Sequence, residues 1–229
     1  MEQYESWFRD GCGICGRNPG GSETVGRRNV LALDHCHTCG KGRGILCSRC
    51  NQSIGQFKDD PERILSAIRY LDDHKSGRSL AAEEIGKASG VPSLEKVQPG
   101  KAKAKDGLKR CSTCKTVKPV DEFSRNARAN DGLQNVCKDC VRGYSLAKRG
   151  LDNERYAELA KNGCSICGHK PRGNELLVMD HVHDETQAFR GLLCLQCNFA
   201  IGLCLDEPGV LEKAAQYLLT HQQENPACL

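Results

Sequence analysis

Seven times in this chain two cysteines stand three positions apart: at 12/15, 36/39, 47/50, 111/114, 137/140, 164/167 and 194/197. A C-x-x-C turn offers two sulfurs from one tight knuckle, and a second knuckle can close a tetrahedral site around a metal. Six of the pairs combine into three quartets in chain order: Cys12, Cys15, Cys47, Cys50; Cys111, Cys114, Cys137, Cys140; and Cys164, Cys167, Cys194, Cys197. Four thiolates leave no open coordination position, so three Zn2+ ions are expected in structural rather than catalytic roles. Cys36 and Cys39 have no counterpart in the related segment downstream, where Val182 stands in place of Cys36. They read as incidental thiols, and so do Cys204 and Cys228.

The composition explains why such staples are needed. Aromatic residues are 5% of the 229 positions and hydrophobic residues 38%, too few for one large core. The opening Met1-Glu-Gln-Tyr-Glu shows neither the basic nor the apolar region of a signal peptide, and no window approaches 18 apolar residues. A cytoplasmic, non-secreted chain that makes no use of a membrane is expected, with its thiols reduced and available to metal. A secreted disulfide scaffold fits the C-x-x-C spacing and the nearby histidines less well. A thiol-redox protein fits poorly, because no thioredoxin-like βαβ pattern surrounds the pairs.

The chain also repeats itself. Gly11-Cys-Gly-Ile-Cys-Gly recurs as Gly163-Cys-Ser-Ile-Cys-Gly, and Leu31-Ala-Leu-Asp-His-Cys-His as Leu177-Val-Met-Asp-His-Val-His. Arg43-Gly-Ile-Leu-Cys-Ser-Arg-Cys-Asn recurs as Arg190-Gly-Leu-Leu-Cys-Leu-Gln-Cys-Asn, and Asp60-Pro61 through His74 as Glu207-Pro208 through His221. Each repeat reads as a short amphipathic stretch (Tyr4 matching Tyr156), a knuckle and a short apolar strand over 30–33 or 176–179. A second knuckle follows, then a helix with Pro61 or Pro208 in its first turn. Apolar residues at helical spacing, Ile64, Leu65, Ile68 and Leu71 in one repeat and Val210, Leu211, Ala214, Tyr217 and Leu218 in the other, read as core. The expected domains are 1–75, a flexible basic linker over 76–109, a basic module over 110–150 and the second repeat over 151–229.

A net charge of +4 conceals an asymmetry. Residues 1–74 are neutral, 75–150 carry +9 and 151–229 carry −5. The basic middle could neutralise phosphates or simply solubilise a linker, and charge alone does not separate these. Lys101, Lys103, Lys105, Arg142, Lys148 and Arg149 there, with Arg43 and Arg190 beside the motifs, are the candidate DNA contacts.

Each repeat carries Asp-His-x-His followed by C-x-x-C-Asn. Alternation along a strand puts His35 and His37 on one face and Asp34 on the other. Asn51 falls at a helix start beside the strand end. A hard cation such as Mg2+ prefers oxygen, and Asp34 with Asn51 offers a carboxylate and a carbonyl. A neutral histidine nearby suits the activation of water. A capping carboxylate and a packed imidazole remain the plainer alternatives for one copy. That Asp180, His181, His183 and Asn198 repeat the pattern in different surroundings favours function.

These motifs resemble the recombination endonuclease VII family, phage-type members of the HNH or ββα-metal nucleases. The resemblance covers roughly 1–74 and 152–221. It implies a small α+β fold with two zinc-stapled ββα-metal units and largely helical structure outside the motifs; the central module separately, and less closely, resembles the small zinc ribbons found beside phage HNH domains. It implies that Asp34 and Asn51 hold a catalytic Mg2+ or Mn2+, that His35 is the general base and that His37 positions the scissile phosphate. Asp180, Asn198, His181 and His183 would take the same roles. The implied activity is metal-dependent endonucleolytic hydrolysis of DNA, duplex or branched, in a phage or bacterial setting at the nucleoid. The alternative is a non-catalytic zinc-binding DNA-binding or regulatory protein. Some relatives carry a carboxylate one helical turn after the Asn, where Ile54 and Ile201 stand here. Family members typically hold one unit and dimerise. Two units in this chain imply a monomer acting as a pseudo-dimer, or a homodimer.

Overall fold

A computed structural model describes residues 10–18, 30–75, 106–173, 175–185 and 187–224. It is a small α+β structure that divides into two compact units. One gathers Met1–Leu80, Ala160–His181 and Arg190–Leu229; the other gathers Ala81–Leu159 and Val182–Phe189. No helix among the described residues is long and apolar enough to cross a membrane.

In the first unit each repeat builds the same local piece. Strands β1 (Leu31–His35) and β2 (Gly42–Cys47) pair antiparallel, with Asp34 opposite Gly44 and a bulge between Asp34 and His35. Helices α1 (Ser48–Gln56) and α2 (Pro61–Lys75) follow. The strand begins and ends later than the apolar run suggests, and it includes the Asp-His dipeptide. Val30 is 60% exposed, so that apolar residue lies outside the sheet's buried face. Helix α2 opens as expected, with Pro61 first and the Asp60 carboxylate accepting from the Glu62 N–H at 2.9 Å.

The second unit holds two short hairpins, β3 (Leu108–Arg110) with β4 (Val117–Pro119) and β5 (Phe123–Arg125) with β6 (Leu133–Cys137). Helix α3 (Lys138–Ala147) follows, then α4 (Asn153–Ala160), mostly in this unit. Its core is small, with Phe123 packed between Cys111 and Cys137. Lys109 is 2% exposed and donates to Asp131 Oδ2 at 2.6 Å, so a buried ammonium is neutralised inside a core with few hydrocarbons. Zinc closing Cys111, Cys114, Cys137 and Cys140 would complete it.

The second repeat returns as β7 (Val178–His181), β8 (Phe189–Leu193), α5 (Leu195–Leu203) and α6 (Pro208–Glu224). Within the first unit α1 packs on α5 and α2 on α6, so the two repeats bury their helices against each other. Ile64, Leu71, Leu211 and Leu218, read from the sequence as core, are at most 2% exposed.

Candidate active sites

The three cysteine quartets share one local plan. The first cysteine opens a knuckle, and the N–H of the next residue donates to a strand carbonyl two positions before the third cysteine. These bonds run from Gly13 to Ile45 at 2.9 Å, from Ser112 to Asn135 at 2.8 Å and from Ser165 to Leu192 at 2.9 Å. The third cysteine caps a helix and the fourth lies in its first turn. Within each quartet the sulfurs lie within 4.8 Å of one another. The close pairs are Cys15 to Cys47 at 3.8 Å, Cys111 to Cys140 at 3.9 Å and Cys167 to Cys194 at 3.8 Å. A tetrahedron with zinc–sulfur bonds of about 2.3 Å has edges near 3.8 Å, so the donor sets fit zinc in chemistry and spacing. Burial works to raise the Cys111 thiol. N–H donors from Cys137, Cys114 and Thr113 outweigh it and bring the thiol down to about 6.

The knuckles hold each hairpin against a helix, and at the hairpin end sits a second constellation. Asp34 is 3% exposed. Arg43, across the hairpin, grips it with two bonds, Nε to Oδ2 at 2.6 Å and Nη2 to Oδ1 at 2.9 Å. The Tyr217 hydroxyl donates to Oδ2 at 3.0 Å, reaching in from the other repeat. Arg43 Nη2 also lies 3.2 Å from Asp59 Oδ2. The second repeat mirrors all of this. Arg190 donates to Asp180 at 2.7 and 3.0 Å and to Asp206 at 2.7 Å, and the Tyr70 hydroxyl donates to Asp180 Oδ2 at 2.7 Å. Each buried aspartate therefore takes one arginine from its own hairpin and one tyrosine from the opposite repeat.

The electrostatics follow from burial. Desolvation works against the Arg43 charge, but the hydrogen bond and charge of Asp34 outweigh it and hold the guanidinium above its ordinary value. Arg190 is raised in the same way by Asp180 and Asp206. Burial and then the nearby Asp180 push the Tyr70 phenol far up, and burial and Asp34 do so for Tyr217. Both tyrosines therefore stay protonated and act as donors. Their room comes from the glycine after each arginine. A Cβ at Gly44 would stand 3.2 Å from the Tyr217 hydroxyl, and one at Gly191 would stand 3.2 Å from that of Tyr70. Asp59 and Asp206 sit in left-handed backbone, φ 54° and 55°, in the turn that joins the two helices of each repeat. Lys58 and Leu205, one position earlier, are left-handed too, with φ 61° and 59°. Aspartate enters this region more readily than most residues, and here it carries its carboxylate to the arginine.

Three of the four motif histidines are exposed above this buried layer. As alternation expects, His35 and His37 are exposed and Asp34 is not. Their rings meet edge to face at 5.0 Å, and His37 Nδ1 lies 2.7 Å from Asp59 Oδ2. His181 is half-buried and His183 exposed. Asn51 and Asn198 are half-buried, one position past Cys50 and Cys197 in the first turns of α1 and α5. Ile54 and Ile201 are 1% exposed and belong to the core.

The candidate DNA contacts take different positions. Arg43 and Arg190 have their guanidinium groups in buried ion pairs, with side chains 3% and 6% exposed. In the second unit the Arg142 guanidinium lies 4.6 Å over the Tyr156 ring, Arg149 Nη1 donates to the Gln187 carbonyl at 3.2 Å and Lys148 is exposed. Lys101, Lys103 and Lys105, like Tyr4, lie outside the described residues.

Sequence reasoning missed Asp59, Asp206, Tyr70 and Tyr217 as parts of these sites. A signal was present, since Tyr70 and Asp59 recur at the repeat offset of 147 as Tyr217 and Asp206. Tyr217 was absorbed into an apolar helical stripe, where its hydroxyl had no assigned partner.

A duplicated hairpin–helix scaffold, pinned by cysteine quartets and carrying a buried Asp–Arg pair at each hairpin end, defines the class of protein. The recombination endonuclease VII family matches residues 4–73 and 138–220, well over half of the chain, and the chain belongs to that family. The Gene 59 protein of Mycobacterium phage D29 is 41% identical over 61 residues, covering 26% of this chain and 33% of the phage protein. The match thus spans a third of that relative's length. No solved structure matches the chain.

Proposed function

We propose that this chain is a divalent-metal-dependent DNA endonuclease of the HNH type with two active sites, one per repeat. The observation that carries this reading is the family match over both repeats, each of which keeps its Asp, His, His and Asn. The hairpin-then-helix order of each repeat supports the ββα-metal arrangement, and the second unit's paired hairpins support a zinc-ribbon-like module.

The residues fit a hard cation in donor chemistry. A carboxylate offers roughly four acceptor directions, and Asp34 commits three of them to Arg43 and Tyr217, leaving one on Oδ1. Asp59 Oδ1 is buried without a hydrogen-bond partner, a second oxygen with capacity to spare. Asp34 with Asn51, and Asp180 with Asn198, would hold Mg2+ or Mn2+, which supplies Lewis-acid polarisation of the phosphate and lowers the pKa of water. Arg43 and Arg190 fix the carboxylate orientation. Exposed His35 and half-buried His181 would take the proton from the attacking water. His37, bonded to Asp59, and His183 would hold the scissile phosphate. The exposed Lys148, with Arg142 and Arg149, supports backbone contacts in the second unit, giving salt-sensitive affinity with little sequence preference.

A second reading is a DNA-binding protein without cleavage. It is favoured by one observation, that each site aspartate is already neutralised by a buried arginine. The test is incubation of linear duplex, a four-way junction and a mismatched duplex with the chain and Mg2+. Cleavage abolished by the Asp34→Ala, Asp180→Ala double variant is expected. Cleavage untouched by that variant would overturn the site assignment, and tight binding without cleavage at any Mg2+ or Mn2+ level would favour the second reading.

A further inference from the structure

Cys36 and Cys39, read from the sequence as incidental, do not stand alone. Their sulfurs and a ring nitrogen of His221 lie within 4.8 Å of one another. His221 belongs to α6 of the second repeat and is 7% exposed, and Cys36 is also 7% exposed. We propose that Cys36, Cys39 and His221 form a fourth zinc site, one that pins the hairpin loop of the first repeat to the last helix of the second. It is independent of whether the chain cuts DNA.

The backbone carries the argument. In each quartet the first knuckle is closed by two bonds. The first cysteine's N–H donates to the carbonyl five residues on, and its own carbonyl accepts from the N–H four residues on. The lengths are 3.0 and 2.8 Å at Cys12, 2.9 and 3.1 Å at Cys111 and 2.8 and 2.8 Å at Cys164. The residue after the second cysteine is left-handed each time, with φ 69° at Gly16, 61° at Lys115 and 69° at Gly168. Cys36 makes the same pair of bonds, to Lys41 at 2.9 Å and from Gly40 at 2.8 Å, and Gly40 has φ 73°. A tight turn with two sulfurs on one side is therefore built here as it is in the three quartets. At the corresponding place in the second repeat, Val182 donates to Ala188 instead and no cysteine is present.

The structure carries Cys39 as a half-cystine, whereas every other described cysteine is a free thiol. Because Cys36 is a free thiol, the bond at Cys39 does not close this cluster, and the metal site needs Cys39 in its reduced form. A disulfide needs neither a knuckle nor an imidazole nitrogen turned toward the sulfurs, whereas zinc uses both. Three protein donors leave one tetrahedral position for water or a further donor. This ion should therefore exchange faster than those in the four-sulfur sites.

Native mass spectrometry of the full chain, purified under a thiol reductant with zinc supplied, should find four zinc ions per chain. Cys36→Ser and His221→Ala should each hold three, and His221→Cys, which restores a ligand, should hold four. Three ions in the reduced wild type would overturn the proposal, and so would a His221→Cys count that falls like that of His221→Ala. A folding defect in His221→Ala would show as loss of more than one ion, and the His221→Cys count then decides. Cobalt substitution gives a second readout. His221→Cys should add thiolate-to-metal charge-transfer intensity over the wild type, and unchanged intensity would count against the site.

Discussion

The two repeats agree where charge is buried and differ where only volume or a loop is at stake. Asp34, Arg43, Asp59 and Tyr70 find identical residues at Asp180, Arg190, Asp206 and Tyr217, and each site borrows the other repeat's tyrosine. The helical seam between them is not symmetric. Ser53 on α1 and Phe57 just past its end correspond to Ala200 on α5 and Cys204 just past its end, and Ser53 Oγ donates to the Ala200 carbonyl at 3.0 Å. The hairpin loops also diverge, one a cysteine knuckle and the other not. A buried charge tolerates no lost partner, because the penalty is several kcal/mol. A core seam tolerates exchange so long as total volume is kept. Symmetry here therefore marks the positions that electrostatics forbids to drift.

The largest expected effect is common to both repeats. Stripping the quartets with a strong chelator should unfold both units, since a structural zinc contributes about 10–16 kcal/mol at neutral pH. Far-UV circular dichroism during chelation measures it. Retention of the native spectrum after complete zinc loss would show that the small cores suffice alone.

Next in size come the arginines. Arg43→Met leaves Asp34 buried and uncompensated, and Arg190→Met does the same to Asp180. Each should cost about 3–5 kcal/mol in urea denaturation, and the two values should agree closely. A large loss in one repeat and a small one in the other would break the equivalence that the geometry implies.

The tyrosines test the exchange between repeats. Tyr217→Phe removes one buried donor to Asp34 and should cost about 1–3 kcal/mol. On the reading above, it should slow strand cleavage by the first repeat's site, scored in an Asp180→Ala background, although Tyr217 belongs to the second repeat. An unchanged rate there would reduce the tyrosine to packing. Alkaline titration gives an independent check. The folded phenols of Tyr70 and Tyr217 are held above the ordinary value near 10, so the folded chain keeps two protons that the unfolded chain has released. Stability from these groups is complete below about pH 10 and is lost as pH rises beyond it. Absorbance at the phenolate band should show Tyr70 and Tyr217 ionising only with unfolding, a step that the Tyr70→Phe, Tyr217→Phe double variant should lack.

Much of this arrangement was legible in the sequence because it was written twice. The cysteine quartets, the Pro-initiated helices and the Asp-His hairpin ends all follow from local spacing. What escaped was long-range or unshared. Tyr70 and Tyr217 meet their aspartates 110 and 183 residues away, a separation that no periodicity reports. Arg43 and Arg190 read from the sequence as cations beside the motifs, and the buried carboxylate that each grips across the hairpin is not visible in that reading. Comparing repeats also hid one feature while revealing others. Cys36 and Cys39 were set aside because the second repeat lacks them, and their companion His221 lies on the other repeat's helix.

The smallest effect bears on the seam. Ser53→Ala gives the first repeat the residue that its mate carries at Ala200. The lost bond runs to a carbonyl that also accepts from the Cys204 N–H at 3.4 Å, so no acceptor is stranded. The Cys204 thiol, 3.1 Å from Ser53 Oγ, loses a neighbour but stays buried as a small apolar group. A cost of about 0.5–1 kcal/mol is expected, with zinc content and cleavage unchanged. A loss several-fold larger would mean that this hydroxyl sets the register between the two repeats. The seam would then count among the fixed features, and the boundary between what may drift and what may not would have to be drawn around hydrogen bonds as well as charges.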